Sequence, residues 1–210
     1  MTHPKTFAVF VLLALSSLSC EQREQGVEQV PLASAERPEV EAESEAEPVA
    51  NAEIAQLSRE ARATAADQAL RQRLLGRVME VASADGLGAA VTVCQKEAIP
   101  ITEEVGDEFQ VSIGRFSDRL RNEENQAPQW ALEMIPQDKE SALRGAITRE
   151  EQTFQRVSPL QIAAPCLGCH GETQSLSEEV QSALSRYYPN DQATGYQEGD
   201  LRGWVWVEVP

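Results

Sequence analysis

The stretch PCLGCHGE (Pro165–Glu172) constrains this chain more than any other, because it contains Cys166-x-x-Cys169-His170. That spacing is the pattern of covalent c-type haem attachment. Two thiols three positions apart on a short helical turn reach one edge of a macrocycle and form thioethers with its vinyl groups. The neighbouring histidine then lies under the iron as the proximal ligand. Rival chemistries fit less well. A redox dithiol usually opens a helix after a buried strand and leaves the histidine without a role. Structural zinc needs two further ligands at regular spacing, and the chain offers no second pair.

The first residues, MTHPKTFAVFVLLALSSLSC, have a weakly basic start, an apolar core over Phe7–Leu15 and small residues after it. This is a secretory signal layout, and the apolar run is too short to span a bilayer. Cys20 closes it after Ser19, as at a bacterial lipoprotein processing site, and is the candidate lipid anchor. Ordinary cleavage nearby, leaving Cys20 free or in a disulfide, is the alternative. We therefore expect residues 1–20 to be a signal peptide of lipoprotein type and the product to be periplasmic and membrane-anchored. The formal net charge is −16, which repels nucleic acid and anionic lipid and removes both as partners. Much of the acid lies between Glu21 and Glu53, around EVEAESEAEPVANAE. With no aromatics and few large apolar residues, such a segment cannot offset the entropy of folding. Residues 21–52 read as a disordered acidic linker, either a spacer or a solvated tail without a role. Residues 53–210 are left as the haem-binding domain. No other run is long enough to cross a membrane.

Counting iron ligands narrows the site. The chain has two histidines, and His3 leaves with the signal segment, so His170 stands alone and bis-histidine ligation within one chain is excluded. The sixth position falls to Met79, Met134, Cys94, Lys96, Lys139 or nothing. If Cys166 and Cys169 are thioethers and Cys20 is lipidated, Cys94 has no disulfide partner. A lone thiol in an oxidising compartment must be shielded or used. Ala90, Val91, Cys94 and Ala98 share one helical face, which turns the thiol inward. Two readings stay open: an iron ligand, or a buried structural cysteine acting as a small hydrophobe.

Periodicity predicts a long N-terminal helix over Ala52–Ala84, carried by Leu70, Leu74, Val78 and Val81 and stopped by Asp85-Gly86. Its alanine-rich first half suits a stalk or a homodimer-forming arm as well as packing on its own domain. A second helix carries Cys94 and ends before Pro100. Strands are expected over Phe109–Phe116 and Thr153–Ile162, a short helix over Pro128–Ile135, and a helix over Leu176–Tyr187 with Leu176, Val180 and Leu184 on one face. The closing run GWVWVEV reads as a strand covered on both faces. Helices and antiparallel strands without regular alternation give an α+β class.

Four stretches, AAVTVCQKEA, IGRFSDRLRNEENQAPQW, PCLGCHGE and YYPNDQATGYQEGDLRGWVWVEVP, resemble a family of exported bacterial c-type haem domains with a PAS-like fold. Such domains occur alone and as sensor modules of receptors. The resemblance runs from about Gly88 to the C-terminus. It implies a PAS-like antiparallel sheet flanked by helices and one covalent haem c. It further implies iron held by His170 and an upstream cysteine, for which Cys94 is the matching position. The middle motif is implied to touch the haem edge through Arg115, Arg121 and Asn122. There the chain departs from the family's RTS and RNPxNxP runs, with Phe116 for threonine and Glu123 for the first proline. The expected function is a monohaem cytochrome acting as a redox or gas sensor through a partner protein. Reduction would weaken the thiolate bond and admit a small gaseous ligand. Low-potential electron transfer to a redox partner is the alternative. A haem peroxidase ranks last, because no distal histidine exists; no residue is assigned as catalytic.

Overall fold

The computed structural model describes residues 54–149 and 152–210; the signal segment, Cys20 and the acidic linker lie outside the described residues. Helix α1 (Arg59–Asp85) starts where Ser58 caps it, the hydroxyl accepting from the Ala61 N–H at 3.2 Å. Such a cap satisfies one of the donors that the first turn leaves without a partner. The chain is also helical at 54–56, but the break at Ser58 separates that turn from α1. Gly86, at φ 89°, ends the helix, a conformation that favours glycine.

Helix α2 (Leu87–Lys96) carries Cys94 and ends before Pro100, as expected. A further helix, α3 (Ala98–Phe109), then begins at once with Pro100 in its first turn. This helix was not expected. Proline lacks an N–H, but first-turn N–H groups have no acceptor within the helix, so the residue is tolerated there. Phe109 consequently closes a helix where a strand was expected to open. Gln110, at φ 52°, turns the chain into β1 (Ser112–Phe116). The remaining elements are α4 (Gln129–Glu133), α5 (Lys139–Ala142), β2 (Ala146–Arg149), β3 (Phe154–Gln161), α6 (Leu167–His170), α7 (Glu178–Tyr187) and β4 (Leu201–Val209). Strand β2 is a second addition to the expected set. The class is α+β: one four-stranded antiparallel sheet in the order β1-β4-β3-β2, with helices around it.

The period of two in β4 distributes its side chains between two cores. Val205, Val207 and Val209 meet Ala63, Ala66 and Leu70 of α1 and Val105 of α3. Trp204 and Trp206 point to the other face, where Phe116, Ala131, Ala142 and Val157 cover them. The first half of α1 therefore spends its alanines against its own sheet. The exposed apolar residues of this helix, Leu75 at 54% and Met79 at 43%, lie in its second half.

One buried acid fastens α1 to β3. The Asp67 carboxylate accepts from Arg71 Nε and from Ser158 Oγ, both at 2.6 Å, and lies 3.8 Å from Arg156 Nε. Arg71 also donates to the Pro159 carbonyl at 3.0 Å. Asp67→Ala would leave a half-buried guanidinium and a buried hydroxyl without their acceptor. The expected cost is about 2 kcal/mol, read as a lower urea midpoint with an unchanged slope.

Candidate functional site

The sheet end where β1 and β3 finish and β4 begins opens into a cavity, closed by α2 and α6. It contains about 610 Å³ of space between atoms, its open mouth included. Cys94 reaches it from α2, His170 from α6 and Arg115 from β1. Arg121 and Asn122 reach it from the loop after β1. Five residues nominated from sequence thus meet in one place. Cys166 ends a 3-10 turn and Cys169 lies on α6 beside His170, but neither is among the residues that line the cavity. Cys166 packs against the group formed by Ile162, Ala193 and Tyr196. Cys169 packs beside Val91, Leu176 and Val180, and burial pushes its thiol pKa up. None of the three described cysteines is in a disulfide.

Two glycines let the Cys94 helix come this close. A Cβ on Gly168 would stand 2.9 Å from Leu87 Cδ1, and one on Gly88 would stand 3.1 Å from the Glu179 carbonyl oxygen. Val91 then packs between the side chains of α7, beside Leu176, Val180 and Leu184. The thiol, three residues further along α2, is set at the cavity.

His170 is half-buried, and its Nδ1 donates to the Ala193 carbonyl at 2.7 Å. A carbonyl only accepts, so the proton sits on Nδ1 and Nε2 keeps its lone pair. This is the anchoring that metal-ligating histidines typically have. Burial first, then the charges of Arg121 and Arg202, push the imidazole pKa down to about 3. The ring is held neutral. Tyr196 meets it edge-on, centroids 6.3 Å apart.

The arginines divide by role. Arg121 is buried and binds Asp191 through two bonds of 3.1 and 3.0 Å. It also donates to the carbonyls of Cys169 at 2.7 Å and Ala193 at 3.2 Å. It braces the attachment turn against the loop that anchors His170. Arg115 is different: its Nε is buried without a hydrogen-bond partner, as is the Tyr188 hydroxyl. Burial pushes the Arg115 pKa down and the Tyr188 pKa up. The Asn122 carboxamide oxygen accepts from the Glu124 N–H at 3.0 Å and shapes its own turn. Tyr188, Arg202 and the Ala193 carbonyl were not nominated from sequence as site groups. The Arg202-Gly203 pair at the mouth of a strand was the available signal.

Three of the other candidates for a sixth ligand lie elsewhere. Met79 is exposed on α1, Met134 packs beneath the sheet with its sulfur 3.8 Å from Thr148 Oγ, and Lys96 is exposed. Among the described residues, no three His, Cys, Asp or Glu side chains are grouped to hold a metal ion by themselves.

A family model for Tll0287-like proteins matches residues 36–210. The chain belongs to the Tll0287-like family. Among solved structures it is similar to the "Crystal structure of the cyanobacterial heme-protein Tll0287". That similarity is 18% identity over 67% of this chain and 90% of the other, with a TM-score of 0.49. No curated protein matches.

The cavity of this Tll0287-like chain fits a haem on its own chemistry. It presents a neutral imidazole with a free Nε2 lone pair and a thiol from a second helix, and two further thiols lie on the turn that carries the imidazole. It also presents a buried guanidinium nitrogen and a phenol hydroxyl that have no hydrogen-bond partner among the described residues. Buried polar groups are nearly always paired, so these two await a ligand.

Proposed function

We propose that this Tll0287-like protein is an exported monohaem c-type cytochrome, ligated by His170 and Cys94, that serves as a redox or gas sensor through a partner protein. The observation that carries this reading is the meeting of Cys94 and His170, from separate helices, in one cavity, His170 following Cys169 on its own short helix. The similar solved structure is that of a heme-protein, which agrees with the reading without carrying it. The antiparallel sheet with helices on its faces supports a PAS-like description.

A bound haem would supply a one-electron centre able to take up a small ligand. The chain does the rest. His170 offers Nε2 in a fixed orientation through its bond to Ala193. Cys166 and Cys169 fasten the group covalently. As a thiolate, Cys94 is a strong anionic donor and favours the oxidised state, which suits a sensor better than a high-potential carrier. Export and anchoring rest on residues 1–20. Self-association through α1, if it occurs, has Leu75 and Met79 as its exposed apolar contacts.

Optical spectra of the purified protein in both oxidation states test the reading. The ferric form should be low-spin with a sulfur-to-iron charge-transfer band, and the reduced form should lose that ligation and bind carbon monoxide. A reduced form that stays six-coordinate would overturn the sensor reading and favour low-potential electron transfer. For the anchor, the wild-type protein should leave bacterial membranes only with detergent, and Cys20→Ser should be released in buffer. Equal release of both would leave an ordinary signal peptide.

A further inference from the structure

Arg115 and Arg202 are two cations lining one cavity without a carboxylate in contact. Arg115 has a buried, unpartnered Nε, and the acidic groups nearest it are the Cys94 thiol and the Tyr188 phenol. Arg202 donates Nη1 to the Arg119 carbonyl at 3.1 Å. The third guanidinium, Arg121, is already matched by Asp191. Burying a charge is costly unless it is paired, and among the described residues no carboxylate forms an ion pair with either; Arg202 rests 5.7 Å over the Tyr196 ring. The backbone also aims Arg202 there. The β3–β4 register passes from Leu160–Gly203 to Gln161–Leu201, so Arg202 is the extra residue of a β-bulge, a device that re-aims a side chain. Gly203 lets the bulge close on β1, since a Cβ there would stand 2.4 Å from the Phe116 carbonyl oxygen.

We propose that Arg115 and Arg202 form a clamp for the two carboxylates of one ligand, the haem propionates, with the Tyr188 hydroxyl as a further donor. Arg121 and Asn122 stand outside it, being committed to Asp191 and to their own loop. The clamp rests on the haem reading, which haem staining of the wild-type chain tests by itself.

The test uses the full chain with Cys166→Ala and Cys169→Ala, titrated with ferric protoporphyrin IX and with its dimethyl ester. The free diacid should bind at least tenfold more tightly than the ester. Adding Arg115→Gln and Arg202→Gln should remove that preference and leave ester binding unchanged. Arg115→Lys should keep most of it, because a cation remains. Equal affinity for diacid and ester in the parent, or a preference that survives loss of both arginines, overturns the clamp. The covalently loaded protein gives a readout independent of how the cysteine variants fold. There the double arginine change should lower the reduction equilibrium about tenfold, 59 mV for one electron, because a cation stabilises the reduced state. An unmoved potential also overturns the clamp.

Discussion

Replacing Cys94 by alanine should abolish the low-spin, sulfur-ligated ferric spectrum and raise the reduction potential. The thiol is half-buried at the cavity and, among the described residues, belongs to no disulfide. Its loss therefore removes a donor without opening a hole in the core, and thermal stability of the apoprotein should change little. An anionic donor favours the oxidised state. Exchange for water or for nothing should move the potential up by on the order of 0.1 V, a modest part of the roughly 0.8 V that axial ligation commands. Cys94→Ser should behave alike, since a neutral hydroxyl is a weak ligand. Met79→Leu and Met134→Leu are the controls, one exposed on α1 and the other beneath the sheet. Potentiometry with optical detection reads all four. A silent cysteine change beside a sensitive methionine would turn the site into a His/Met electron carrier.

Cys166→Ala combined with Cys169→Ala should leave no haem-stained band after denaturing electrophoresis, while each single variant keeps a weaker one. Only thioethers survive denaturation, so the gel reads attachment and not affinity. The turn that bears these residues does not depend on the thiols. The Tyr196 N–H donates to the His170 carbonyl at 3.0 Å, the Gly195 N–H to the Gly171 carbonyl at 2.8 Å, and Arg121 holds the Cys169 carbonyl. Far-ultraviolet circular dichroism of the double variant should therefore match that of the unloaded wild-type chain. A band that persists would remove covalent attachment from the proposal.

What could be read from the sequence follows the range of the forces involved. The attachment run is local, and counting histidines and thiols isolates Cys94 without any structure. The two tryptophans and three valines of β4 announce a strand covered on both faces because alternation is local too. Helix α3 was missed because Pro100 reads as a stop, although the first turn of a helix tolerates it. Strand β2 has four residues and leaves Ile147 at 45% exposure, too short and too uneven a pattern to separate from a loop. Asp67 reads as one more solvated acid in an alanine-rich helix. Its burial depends on Ser158 and Arg156, which arrive from β3. Arg202 was visible as part of a resembling run but not as a cavity residue, since a bulge exists only once two strands have chosen their register.

The sheet order carries a consequence for how such a protein is made. Strand β4 follows all other described strands in the chain yet lies inside the sheet, and β1 pairs with no strand but β4. The sheet therefore cannot assemble until residues 201–209 are free. In a chain that leaves a translocation channel N-terminus first, Cys166 and Cys169 emerge while the fold around them is still open. The haem-loading apparatus would then work on an unfolded segment, and closure of β4 would seal the product afterwards. Haem found on a nascent chain halted before residue 201 would be the signature of that order, and its absence there would refute it.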